Sequence, residues 1–225
     1  MCFLPLYLKC RALKIGCVAI TEHNNIDGGL RFKRFCEKRG NKVSVIVGEE
    51  VFTSEGEVIG LFLKENIPKG LSAKETIEII KGQGGVVYVP HPYDEKRAKT
   101  VLAEKAISEN KNLIDCIEVH NGRNISSAYD IKQKEIAEKF NLCHVVGADA
   151  HTLIEIGRNY LEVSSLPVSA DEFRTVIKSA RFHQSNCLKL SHIITKFAKA
   201  VKMLGKGNFD ELHRTITKKI KRSKY

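Results

Sequence analysis

Residues 115–151 read DCIEVHNGRNISSAYDIKQKEIAEKFNLCHVVGADAH. Asp115–Val119 is a short apolar run that ends in His120-Asn121-Gly122-Arg123, and Ser127–Phe140 carries apolar positions at helical spacing. His144–Gly147 is a second apolar run, followed by Asp149-Ala150-His151. Strand, crossover helix and strand make a parallel βαβ unit. In this unit the residues able to do chemistry follow the strands.

The same pattern extends outward in both directions. Further strands are expected at Cys17–Thr21, Val43–Val47, Glu57–Leu63, Val86–Val89 and Tyr160–Val163, and further helices at Leu6–Lys14, Gly29–Lys38, Ser72–Lys81 and Ala98–Asn110. Ser72-Ala73-Lys74-Glu75 reads as a capping box. Regular alternation implies parallel strands joined by helices, in an open α/β sheet or a barrel. Beyond Leu166 the pattern turns helical, with a helix opening at Ser169 and reaching Arg181 and others running over about Leu188–Leu204 and Phe209–Lys221.

Five strands are followed by polar groups: Glu22-His23, Gly48-Glu49-Glu50, Pro90-His91-Pro92, His120-Asn121-Gly122-Arg123 and Asp149-Ala150-His151. Parallel α/β proteins bind ligands at the carboxyl ends of their strands, where the strand-to-helix loops gather. Imidazole and carboxylate without thiolate is a donor set for zinc, manganese or iron. Metal pairs held in this way lower the pKa of a water and clamp both oxygens of a phosphoryl displacement. Gly82-Gln83-Gly84-Gly85 runs from helix to strand, the wrong order for a phosphate loop, and reads as a helix end and turn. His120 is expected to pack and His144 to be structural; His183, His192 and His213 fall outside the pattern.

Composition agrees with a globular protein: 225 residues, 43% hydrophobic and 28% charged. The seven cysteines, at 2, 10, 17, 36, 116, 143 and 187, include no C-x-x-C pair, which argues for a reducing cytoplasm and against a thiolate zinc site. No apolar run is long enough to cross a membrane. Of the net charge of +11, a surplus of eight lies in the last 30 residues, with ten basic residues against two acidic ones. That run is read first as a solvated helix face, with nucleic acid as the less favoured partner.

Taken in order, these segments resemble the motifs of the polymerase-and-histidinol-phosphatase (PHP) phosphoesterases. Ala19-Ile20-Thr21-Glu22-His23-Asn24 resembles "AITDHN", Val47-Gly48-Glu49-Glu50-Val51 resembles "PGIEV", and Val89-Pro90-His91-Pro92 resembles "AHP". Ile117–Arg123 resembles "IEVYNGR", and Gly147–Thr152 resembles "GSDAHT". The resemblance spans about residues 10 to 165 and implies a distorted seven-stranded (β/α) barrel, here lacking its first strand, with a C-terminal helical extension. It implies His23, Glu50, His91, Asp149 and His151 as ligands of divalent metal (Zn, Mn or Fe), with Arg123 and Asn121 contacting a substrate phosphate. The expected division is a barrel over 1–166, flanking helices over 167–204 and a basic helix or tail over 205–225.

Three departures from the family pattern stand out. Nothing before Ala12 supplies the H-x-H pair of the family's first strand, Glu22 replaces an aspartate, and Glu57-Val58-Ile59-Gly60-Leu61 occupies a strand where some members carry a histidine. By analogy one ion keeps Glu50 and Asp149, a second Glu50 and His91, and a third His23 and His151. Each then has about two protein ligands, where catalytic zinc usually has three. Two readings stay open: a phosphoesterase acting on a phosphorylated small molecule or nucleotide, and an inactive remnant serving as a binding or regulatory module.

Overall fold

The computed structural model describes residues 2–188 together with Leu190, Ser191, Ile194 and Thr195. Met1–Cys187 and Leu188–Tyr225 form two separate units. The expected helix at 188–204 is described at four positions beyond Leu188, and 205–225 lies outside the described residues. Among the described residues, no helix is long and apolar enough to cross a membrane.

The first unit runs α1 (Phe3–Ala12), β1 (Cys17–His23), α2 (Asp27–Glu37), β2 (Ser44–Thr53), β3 (Gly56–Leu61), α3 (Ala73–Gly82), β4 (Val86–Val89), α4 (Glu104–Asn110), β5 (Cys116–Asn121), α5 (Ser127–Phe140), β6 (His144–Gly147), β7 (Tyr160–Glu162), α6 (Ala170–Val176) and β8 (Arg181–His183). Strands β1 to β6 form one curled half-barrel sheet in sequence order. Strand alternation divides the sheet into two packed faces. Val47, Val51, Val58, Val87, Val89, Ile117 and Val146 meet Ile77 and Ile80 of α3, Ile107 of α4 and Ile136 of α5. On the other face Ile46, Ile59, Leu61, Val86, Tyr88, Cys116 and Val145 are covered by Ala170 and Phe173 of α6 and by Ile177. Helices α1 and α2 pack through Leu6, Cys10, Phe32 and Cys36 on Val43 and Val45.

Local signals act as the sequence implies. The Ser72 hydroxyl accepts from Glu75 N, while the Glu75 carboxylate accepts from Ser72 N at 2.9 Å, closing the capping box of α3. The glycine-rich stretch ends α3, with Gly84 in the left-handed region at φ +75°. Cys2, Cys10, Cys17, Cys36, Cys116 and Cys143 are free thiols.

Three expectations are corrected. The strands are not all parallel: β3 runs antiparallel to both β2 and β4, while β1–β2, β4–β5 and β5–β6 are parallel. Its reversal is made by the two residues Ser54 and Glu55, between the paired Thr53 and Gly56. Gly56 adopts φ +126°, and a Cβ there would run into the backbone at Val101 and Leu102. That backbone explains the second correction. The helix expected from Ala98 begins only at Glu104, because Thr100 O accepts from Glu57 N (2.8 Å) and Ala103 N donates to Glu55 O (2.9 Å). Bonds made to the hairpin are unavailable to a helix. Third, Tyr160–Glu162 is no member of the main sheet; it pairs with Arg181–His183 in a two-stranded one, so the helix expected to reach Arg181 ends earlier.

Candidate metal centre

Because β3 alone is reversed, its first residues lie beside the last residues of β2. Paired residues in an antiparallel ladder share a face, and so do residues two apart. Glu50 pairs with Ile59, which places Glu57 on Glu50's face. Glu49 points the other way, fully buried, with one oxygen accepting from Ile67 N at 2.9 Å. Burial pushes the Glu49 carboxyl above its ordinary pKa.

Two imidazoles complete the arrangement. His23 ends β1 directly beside Glu50, and its Nδ1 lies 3.3 Å from Glu50 Oε2 and 3.5 Å from Glu57 Oε1. His91 Nε2 lies 3.3 Å from Glu50 Oε1 and 3.3 Å from Glu57 Oε2. Each carboxylate therefore presents one oxygen to each imidazole. His91 is 1% exposed and Glu57 2%, whereas the His23 side chain is half exposed, so the box opens toward solvent on that side. Burial alone would lower the His91 pKa, but the Glu50 and Glu57 carboxylates overcome it and carry it up to about 10.

The donors fit a divalent cation. Ligand atoms about 2.1 Å from a common ion stand roughly 3.0 to 3.4 Å apart in octahedral to tetrahedral geometry, close to the separations found here. Among the described residues Glu57 Oε1 is buried without a hydrogen-bond partner, an expensive state for a carboxylate oxygen unless something else neutralises it. His23, Glu50 and Glu57 each offer an atom within 4.8 Å of the others.

The second group of expected ligands lies across a hydrogen-bonded network. The Glu118 carboxylate accepts from His91 N (2.8 Å), from Tyr88 Oη (2.6 Å) and from Asn121 Nδ2 (2.8 Å). A bulge at Val119 makes this possible, since regular alternation would turn Asn121 away from Glu118. Asn121 Oδ1 accepts from Arg97 Nη2 (3.3 Å), and Arg97 Nη1 donates to Asp149 Oδ2 (2.8 Å). Burial alone would raise the Asp149 pKa, but the Arg97 guanidinium, helped by His151 and His91, holds it below the usual range. His151 Nδ1 lies 2.9 Å from the Asp149 carbonyl and 3.4 Å from its carboxylate. His91 (φ +27°) and Asp149 (φ +44°) both adopt left-handed backbone, strain of the kind that functional sites hold.

Thus His23, Glu50 and His91 meet in one box, Asp149 and His151 meet each other, and Glu118, Asn121 and Arg97 connect the two groups. Arg123 is buried: its Nη1 donates to Glu155 Oε1 (3.0 Å), and its backbone N donates to Asn121 Oδ1. The other oxygen of Glu155 accepts from His151 N and Thr152 N, which fixes the turn carrying the Asp149/His151 pair. His120 does more than pack, since its two ring nitrogens meet Asp130 (2.9 Å) and Asn159 (3.0 Å). Sequence reasoning missed Glu57, Arg97, Glu118 and Glu155. For Glu57 and Glu118 a signal existed: Glu57 directly precedes the apolar Val58-Ile59, and Glu118 stands between Ile117 and Val119.

Comparison with known proteins places this geometry. The PHP-associated family (PHP_C) matches residues 132–182, from within α5 through β8. The uncharacterized protein MJ0417 of Methanocaldococcus jannaschii is 33% identical over 166 residues, covering 65% of this chain and 70% of that protein. A two-domain protein from Bacteroides vulgatus, described as containing a predicted PHP-like metal-dependent phosphoesterase, superposes with a TM-score of 0.59 at 17% identity. That match covers 80% of this chain and 60% of the other. PsfC from Pseudomonas syringae gives a TM-score of 0.64 at 16% identity, covering 89% of each chain. With its half-barrel sheet and its histidine–carboxylate box, the chain belongs to the PHP-domain family.

Proposed function

We propose that this protein is a metal-dependent phosphoesterase that hydrolyses the phosphate ester of a small molecule or nucleotide. The observation that carries the reading is the box of His23, Glu50, Glu57 and His91, in which two carboxylates each face two imidazoles. On this reading His23, Glu50 and His91, with Asp149 and His151 across the network, hold divalent cations of the Zn, Mn or Fe class, and the six strands correspond to part of the seven-stranded family barrel. A cation there supplies Lewis acidity toward a phosphoryl oxygen and a water of lowered pKa.

The chain's own residues bind and orient. Asn121 Oδ1 accepts from the Arg97 guanidinium and from the Arg123 backbone N. Arg123 is 8% exposed and paired with Glu155, while the Arg97 side chain is 27% exposed at the network's edge. The Arg97 Nε, Nη1 and Nη2 each give one N–H, to Asp94, Asp149 and Asn121 in turn, and the remaining N–H groups of the partly exposed fork are the ones that would meet phosphate oxygens. Glu118 anchors the backbone of His91 and keeps that imidazole against Glu50 and Glu57. A reducing cytoplasm is the compartment that fits seven cysteines with no C-x-x-C pair in the sequence.

The test is hydrolysis of p-nitrophenyl phosphate and of nucleoside monophosphates by the purified chain with added Mn2+ or Zn2+, beside Glu50→Gln and His91→Asn. Phosphate release by the wild type, reduced at least 100-fold in both variants, supports the reading. Release that is equal in all three, or absent from the wild type with every metal, overturns it.

A further inference from the structure

We propose that Glu57 is a second bridging carboxylate, so that His23, Glu50, Glu57 and His91 form a two-cation centre that favours Mn2+, relative to Zn2+, more than a site with histidine at that position would. The inference rests on the metal-dependent reading above and deepens it. Glu57 stands in the strand where some family members carry a histidine, and its chemistry differs in kind. An imidazole nitrogen serves one ion, whereas a carboxylate has two oxygens and can serve two.

The geometry uses both. Glu57 Oε1 faces His23 Nδ1 at 3.5 Å and Glu57 Oε2 faces His91 Nε2 at 3.3 Å; Glu50 repeats the pattern with its oxygens at 3.3 Å from each. An ion beside His23 thus has one nitrogen and an oxygen from each carboxylate, and an ion beside His91 has the same. Each reaches three protein ligands, the number usual for catalytic sites, where the motif-based assignment gave each about two. A second observation is independent of the clustering. Glu57 is 98% buried, and its Oε1 accepts no hydrogen bond among the described residues. Such an atom, aimed into the box, is unsatisfied until a cation arrives.

Donor type sets the class of ion. Four oxygens to two nitrogens, with no sulfur, is a harder set than one in which histidine replaces Glu57. Carboxylates suit manganese, and imidazoles shift a site toward zinc.

The experiment loads the full chain with Mn2+ alone, determines bound metal by equilibrium dialysis with elemental analysis, and records the Mn2+ electron paramagnetic resonance spectrum. Wild type is expected to show the multi-line signal of an exchange-coupled pair. Glu57→Gln, equal in size but unable to bridge, should lose that coupling and bind Mn2+ at least 10-fold more weakly. Glu57→His should keep metal but shift the Mn2+ to Zn2+ affinity ratio at least 10-fold toward zinc. Apo-state thermal melting of each variant shows that it is folded. A Glu57→Gln protein with the wild-type spectrum and affinity overturns the bridge and leaves the phosphoesterase reading standing. Wild type that holds coupled Mn2+ yet hydrolyses no ester supports the bridge and overturns that reading. Wild type that binds no Mn2+ overturns both.

Discussion

The Glu118 carboxylate lies against the Cα of Gly147 across the β5–β6 pair, so closely that a methyl group on Gly147 would overlap Glu118 Oε1. Glu118 is 3% exposed and burial pushes its pKa up, with His91, Tyr88 and Asn121 pulling it back. It cannot retreat without leaving three donors unpaired. Gly147→Ala should therefore cost about 1–3 kcal/mol, the usual price of overpacking, read as a lower urea midpoint at unchanged slope. Gly82→Ala, where a Cβ meets nothing within 4 Å, is the control and should leave the midpoint unchanged or higher.

His120 gives the fold a pH dependence. Burial alone would lower its pKa, but the bond to Asp130 and the contact with Asn159 outweigh that and raise it. The folded value lies above the unfolded one, so the stabilisation is complete below pH of about 6.5 and fades as pH climbs through the folded pKa. Denaturation at pH 6 and pH 9 should show the wild type losing stability relative to Asp130→Asn. Parallel losses in the two proteins would remove Asp130 as the cause.

Arg174 of α6 fastens the helix to the amino ends of β4 and β5. Its Nε donates to Asp115 Oδ1 (2.8 Å) and its Nη2 to the Gly85 carbonyl (2.6 Å), while Asp115 Oδ2 accepts from Lys81 Nζ and Val87 N. Arg174→Ala should destabilise by about 1–3 kcal/mol, the range for hydrogen bonds to charged groups, measured by urea denaturation. Combined with Asp115→Asn the losses should fall short of additive, since the two share one network.

On the phosphoesterase reading, Arg97 is where phosphate binding can be tested apart from metal binding. Arg97→Lys keeps the charge but loses the fork. The expected result is a roughly 10-fold higher KM for a phosphate ester, about 1.4 kcal/mol, with metal content unchanged by elemental analysis. A fall in metal content at unchanged KM would assign Arg97 to holding Asp149.

Much of the fold was legible because period and punctuation agreed: β1, β4, β5, β6 and the capped α3 fall within a residue or two of their expected bounds. Glu22, in place of aspartate, also has a physical account. Its longer side chain reaches Gly28 N (2.8 Å) in the first turn of α2, and the missing Cβ of Gly28 makes room for it. What stayed hidden depends on direction and partner. Glu57 sits at the start of its strand, and a rule that searches strand ends passes over it unless β3 is known to be reversed. Tyr160–Val163 looked like a barrel strand, because propensity reveals extended backbone and not the strand it pairs with. Arg97 and Glu155 lie in turns whose side chains acquire meaning only once Asp149 is in place.

The two-residue turn at Ser54 and Glu55 has an evolutionary consequence. Surface loops usually tolerate gain or loss of a residue, but one added here would slip β3 by one position against β2. Val58 would then face the imidazoles and the Glu57 carboxylate would be driven into the helix-packed layer. Any selection that keeps that side chain in place would therefore also act against length change in a neighbouring loop.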